Sequence, residues 1–127
     1  TLRPVLDRGS GGLSGPALRP IALAAVHACR RATDLPIVGM GGVATGRHAL
    51  ELLAAGATDV AIGTALFSDP GAPSRIRSEL SAELAARGFV SPDNVIGAGH
   101  EPEAPTLDRS SRVEPEKYLH SGANMAG

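Results

Sequence analysis

Nine residues constrain this chain more than any others: Leu35-Pro36-Ile37-Val38-Gly39-Met40-Gly41-Gly42-Val43. They read as a short buried strand running straight into a two-glycine turn. Twenty-two residues after Gly41 the pattern returns, as Asp59-Val60-Ala61-Ile62-Gly63-Thr64. Two such strands, joined by a helix, can aim bare backbone N–H groups at one anion. Glycine serves because no side chain stands between the donor and the ligand. In parallel α/β barrels the loops after the last two strands often form such a phosphate site. The chain therefore reads as the phosphate-gripping part of a flavin or nucleotide barrel, and as an incomplete one.

Length supports the second half of that reading. A TIM barrel typically takes about 250 residues, and this chain has 127. Its first residue is Thr1 rather than Met, so an upstream portion is expected. Hydrophobic residues make up 43%, enough for a core, but only two Phe, one Tyr and no Trp are among them. With 12 Lys+Arg against 13 Asp+Glu there is no basic excess. A nucleic-acid surface wants both positive charge and stacking aromatics, and is not expected. A lone cysteine, Cys29, excludes an internal disulfide framework and suits the cytosol. No apolar run approaches the roughly 20 residues of a membrane span. The expectation is a soluble, cytoplasmic protein.

Along the chain, Leu2 to Leu6 reads as extended, with Pro4 keeping it off a central strand. A glycine-dense loop follows from Gly9 to Gly15, and Pro16 suits the first turn of a helix. Leu18, Ile21, Ala22, Ala25, Val26 and Cys29 keep the three-and-four spacing of an amphipathic helix. Arg30 and Arg31 fall in its last turn, where the helix dipole favours cations. After the first strand, Thr45 is an N-cap for a second helix that ends near Gly56, with Leu50, Leu53, Ala54 and Ala57 inward. Gly46 weakens that helix's first turn by up to about 1 kcal/mol relative to alanine. A third long helix starts at Pro73, carries Ile76, Leu80 and Leu84 on one face, and stops at Gly88. Phe89 is placed to fold back on Leu84, and Ser91-Pro92 to cap one more turn. Residues 98–127 are rich in Pro, Glu, Ser and Gly, and are expected to be a disordered tail behind a domain spanning residues 1–97. The class is α/β. Two parallel strands alone would leave raw edges, so more sheet is expected upstream.

Glycine loops occur at Gly11–Gly15, Gly39–Gly42 and Gly63–Thr64, each between an extended segment and a helix. The following helix adds about half a positive charge at its N-terminus. Each hydrogen bond to a charged phosphate oxygen contributes roughly 1.5–3 kcal/mol. Neither the Rossmann fingerprint nor the P-loop pattern is present.

Four stretches in order are more specific than any one alone: Gly11-Gly12-Leu13-Ser14-Gly15-Pro16-Ala17, Pro36 to Val43, Ala54-Ala55-Gly56-Ala57, and Ile62-Gly63-Thr64-Ala65-Leu66-Phe67. From about Leu2 to Phe89 the set resembles the C-terminal part of the dihydroorotate dehydrogenases, in forms most similar to the NAD-linked branch of the class 1 enzymes. The resemblance implies a TIM barrel, of which this chain is the C-terminal part. It also implies an FMN cofactor and oxidation of dihydroorotate to orotate in de novo pyrimidine synthesis. Carried over by position, Gly15, Gly41, Gly42, Gly63 and Thr64 would contact FMN through backbone groups, Thr64 also through its hydroxyl. The resemblance places the catalytic base, a flavin-contacting lysine and the substrate-binding asparagines upstream of Thr1, leaving no catalytic residue here. It implies an oligomer and, for the NAD-linked branch, an iron–sulfur/FAD partner subunit.

Other residues are weighed against blander roles. Cys29 lies on the apolar stripe and is expected to be a buried core residue rather than a nucleophile. Arg47 and His48 could support a phosphate but are expected on a solvated surface; His27 is expected at the surface or satisfied. His100 and His120 fall in the expected tail. No cysteine–histidine cluster predicts a metal site, and Asp7 and Asp59 read as turn and strand-edge residues. Two readings compete with the dehydrogenase: another flavin or phosphate barrel, such as a dihydropyrimidine or dihydrouridine reductase or a sugar-phosphate enzyme, and an inactive fragment. Gly42→Val is expected to expel FMN by entering the phosphate's space.

Overall fold

The computed structural model describes residue 3 and residues 5–100, and its architecture is α/β. Thr1, Leu2, Pro4, His120 and all but the first three residues of the expected tail lie outside the described residues. Of the segment expected to be extended, Val5 and Leu6 form bends, and a turn follows to Gly9, whose N–H donates to the Leu6 carbonyl at 2.9 Å. One 3-10 turn, Pro16–Leu18, leads into α1, Arg19–Ala32. Strand β1, Val38–Met40, is followed by α2, Gly46–Ala54, and by β2, Asp59–Ala61. A four-residue helix α3, Ala65–Ser68, precedes α4, Ala72–Ala86, and a second 3-10 turn spans Pro92–Asn94. The pattern of apolar residues pointed to the three long helices and both strands; α3 is too short to leave a periodic signal.

The two strands pair in parallel, with Val38 opposite Asp59, Gly39 opposite Val60 and Met40 opposite Ala61. Alternation along a strand sends neighbouring side chains to opposite faces. Gly39 and Val60 face the helices, and a Cβ on Gly39 would lie 2.9 Å from that of Ala57. The missing side chain thus lets the chain leaving α2 close onto β1. The other face is bare, with Val38 60% and Met40 64% exposed.

On the covered side, Leu52 from α2, Val26 from α1 and Ile76 from α4 share one apolar cluster with Val43 and Ala57. A second cluster joins Leu50 and Leu53 of α2 to Leu84 and Val95, with Phe89 packed against it. Burying one such side chain contributes about 1.5–3 kcal/mol.

Only half of the predicted α1 stripe is used. Ala22 and Val26 are buried and Leu18 half-buried, whereas Ile21 is 59% exposed and Ala25 lies open. Cys29, expected in the core, is exposed. The contact follows the four-residue line through 18, 22 and 26, so a residue three positions past Val26 rotates out of it.

The loop closures follow local chemistry. Thr45 Oγ1 accepts from the His48 N–H at 3.2 Å, as an N-cap should. At the other end of the chain Gly88 adopts a φ of 77°, and the Phe89 N–H reaches the Leu84 carbonyl at 3.0 Å. Ser91 caps its turn in a capping box with Asn94. Beyond it the chain lies across the C-terminus of α2. The Gly97 and Gly99 N–H groups donate to the Leu53 and Ala54 carbonyls, both at 2.9 Å. His100 Nε2 sits 2.9 Å from the Ala55 oxygen, and its ring stacks on that of His27 with centroids 4.1 Å apart. Packing therefore continues through His100, three residues past the expected boundary. Arg30 closes the neighbouring gap, its Nε–H donating to the Gly56 carbonyl at 2.9 Å.

Among the described residues, no helix is long and apolar enough to cross a membrane. Among the described residues, no group of three or more His, Cys, Asp or Glu stands close enough to hold a metal ion.

Candidate anion-binding pocket

Parallel pairing puts the loops after β1 and β2 at the same end of the sheet, and the glycine-dense loop before α1 reaches the same place. Between them lies a cavity of about 260 Å³, lined by Gly15, Gly42, Val43, Thr64, Asp69 and Arg75 among others. That is just below the roughly 300–1,000 Å³ of sites that enclose a whole small ligand. It suits one end of a larger molecule.

Three of the five expected contact residues, Gly15, Gly42 and Thr64, meet on this cavity; Gly41 and Gly63 adjoin lining residues without forming the wall themselves. Each glycine has its own reason. At Gly41 a Cβ would press on the Cβ of Ala22 at 2.7 Å, so this position lets the end of β1 close on α1. Gly42 has a φ of 68°, unfavourable for any residue with a Cβ. A Cβ there would also lie 2.8 Å from the Gly15 carbonyl oxygen and 3.2 Å from the Arg19 nitrogen. A side chain at Gly42 is thus aimed at the neighbouring loop and not at the cavity. At Gly15 and Gly63 a Cβ would meet nothing within 4 Å.

Donors are available. Among the described residues the N–H groups of Gly42, Val43 and Thr64 donate to no backbone acceptor, and the Thr64 hydroxyl makes no capping bond. Amides without acceptors, from two loops beside one cavity, match the needs of a phosphate.

The N-terminus of α2, expected to face the anion, is already engaged by the protein itself. Glu79 Oε2 accepts from the Gly46 N–H at 2.7 Å, and Thr45 Oγ1 takes the His48 N–H. The positive end of the helix therefore supports a carboxylate. The Gly46 N–H, and after it the Arg75 guanidinium, hold the Glu79 carboxyl below its ordinary range.

Arg75 escaped notice in the sequence because an Arg and a Glu four apart on a helix usually form a solvated pair. Its guanidinium reaches Glu79 Oε1 at 2.8 Å, Asp69 Oδ2 through Nε and Nη2 at 3.1 and 3.0 Å, and the Ala44 carbonyl at 3.2 Å. Both carboxylates raise its pKa.

His48 is half-buried and turned inward rather than solvated. Its Nδ1 accepts from the Ala44 N–H at 3.2 Å. Burial foremost, then the Arg19 charge, lowers its pKa from 6.5. Arg47 is exposed and pairs with Glu51 one turn on, which also pairs with Arg19 of α1. Asp59 accepts from the Thr58 hydroxyl at the strand edge.

Comparison with known proteins gives a consistent result. The family model described as dihydroorotate dehydrogenase matches residues 1–84. The catalytic subunit of dihydroorotate dehydrogenase B (NAD(+)) from Geobacter sulfurreducens is 50% identical over 96 residues, 76% of this chain and 32% of that protein. The subunit of the same name from Latilactobacillus sakei is 53% identical over 85 residues, 67% of this chain and 28% of that one. The ligand-free dihydroorotate dehydrogenase structure from Eimeria tenella superposes with a TM-score of 0.70 at 30% identity, covering 80% of this chain and 29% of that one. The chain thus spans about a third of the length of the curated relatives it matches.

Proposed function

This chain belongs to the dihydroorotate dehydrogenase family, and from that premise we propose that the protein it forms part of oxidises dihydroorotate to orotate with bound FMN, in pyrimidine synthesis. Residues 1–97, with the packing carried on through His100, then form the C-terminal βα units of a TIM barrel. The bare face of β1, where Val38 and Met40 stand exposed, is the side a closed barrel would turn inward.

The observation that carries this reading is the convergence of Gly15, Gly42 and Thr64 on one cavity, beside amides that lack acceptors. Gly42, Val43 and Thr64 would hold the phosphate through backbone N–H groups, and Thr64 would add its hydroxyl. The open space beside Gly15 and Gly63 leaves room for the attached chain. When bound, the flavin would supply the two-electron acceptor for the oxidation. This chain's part is to bind and orient it. The proton-abstracting base and the substrate contacts belong to residues outside this chain. The relatives named as catalytic subunits support a partner subunit that passes electrons onward, and an oligomer and a cytoplasmic setting are part of the same proposal.

The test is a preparation of the whole protein. It should purify with flavin absorbance that bleaches on anaerobic addition of dihydroorotate. A flavin-free preparation that FMN does not reconstitute would overturn the proposal.

A further inference from the structure

One side chain at the cavity, although 43% exposed, draws several segments together. Arg75 lines it and uses four of its five N–H donors on three separate segments: Asp69 before α4, Glu79 one turn along α4, and the Ala44 carbonyl in the loop after β1. Glu79 in turn holds the Gly46 N–H, two residues beyond Ala44. Asp69 Oδ1 accepts the Gly71 N–H at 3.0 Å, so the third anchor is itself fixed. One guanidinium thus ties the wall formed by Gly42, Val43 and Ala44 to the opposite wall formed by α3 and the start of α4.

We propose that Arg75 is a positioning residue for the phosphate pocket, spacing its two walls so that the protein prefers a phosphorylated flavin to the unphosphorylated form. This rests on the flavin reading above. The charge balance shows why Arg75 acts as a strut and not as a phosphate ligand. Two carboxylates surround the single guanidinium, and only one N–H is left to offer. Exposed ion pairs add little to stability, so removing this one should disturb the pocket more than the fold. Lysine keeps the charge but lacks the planar fork that reaches three acceptors at once.

The test titrates the intact apoprotein with FMN and with riboflavin, following flavin fluorescence, in wild type, R75K, R75M and E79Q. Wild type should prefer FMN. In R75K and R75M the FMN affinity should fall about tenfold, a loss of about 1.4 kcal/mol, with riboflavin affinity unchanged and melting temperature near wild type. Wild type without preference for FMN would overturn the site reading itself. A wild-type preference retained by R75K would leave the site reading standing and overturn the strut. Parallel loss of both affinities would overturn it too. Should R75M fail to fold, R75K and E79Q carry the comparison, and E79Q should lose FMN preference in the same direction.

Discussion

The backbone N–H of Gly46 donates to the Glu79 carboxylate at 2.7 Å, and the same glycine leaves no space for a side chain against α4. A Cβ at Gly46 would run into the backbone of Glu79 and Leu80. In isolation alanine favours a helix over glycine by about 1 kcal/mol. Here it should do the opposite. Gly46→Ala would push α2 and α4 apart, and overpacking of this kind costs about 1–3 kcal/mol. A lower melting temperature by circular dichroism is the expected result; a stabilised variant would contradict the packing.

Glu79 also sets an acid limit. Its folded pKa lies below the ordinary 4.5, chiefly through the Gly46 N–H and then through Arg75. The unfolded chain therefore binds protons more readily than the folded one in the window below pH 4.5. The contribution is complete above that pH and disappears as pH falls through the lowered folded value. Urea unfolding between pH 5 and 3 should show a shallower acid slope in E79Q than in wild type. Equal slopes would remove Glu79 from that role.

A second titration lies nearer neutrality. His48 has a folded pKa below 6.5, and its neutral Nδ1 accepts the Ala44 N–H. Between the lowered folded value and 6.5 the unfolded state binds more protons, so stability should fall as pH drops through this window and then level off. His48→Gln offers an acceptor that does not titrate, and should abolish this step in a pH series of melting temperatures. A step that survives the substitution would have to come from another group.

Gly42 and Gly63 should separate fold from ligand. At Gly42 the positive φ and the Gly15 carbonyl both oppose a side chain. Gly42→Val should lower both FMN affinity and the melting temperature, the latter by the equivalent of about 2 kcal/mol. Gly63→Ala meets open space, so the melting temperature of the apoprotein should stay at the wild-type value. Paired thermal melts and FMN titrations of the two variants check this, and an unchanged melt for Gly42→Val would refute the close approach of the two loops.

Much of this architecture was legible because it rests on local rules. Thr45 as a cap, Gly88 with Phe89 folding back, and Ser91 starting a turn each depend on residues a few positions apart. The shared cavity followed from glycines at the ends of two parallel strands. What stayed hidden depends on partners far along the chain. Gly46 looks like a weakness until α4 is laid against it, and Arg75 looks like a surface charge until Ala44 and Asp69 come within reach. Cys29 was misplaced because periodicity marks a broad stripe, while the neighbours on hand cover only its 18–22–26 line. His100 sat in a stretch of unpromising composition, yet its ring finds Ala55 and His27.

The clasp at the end of α2 carries a consequence for biosynthesis. Two carbonyls of that region, those of Ala54 and Ala55, wait for partners that the ribosome adds more than forty positions later, at Gly99 and His100. Until those residues emerge from the exit tunnel, the helix that follows the Gly42–Ala44 wall of the pocket has an open end. Nascent chains arrested before Gly97 should accordingly be cut by protease within α2, and chains released after His100 should resist.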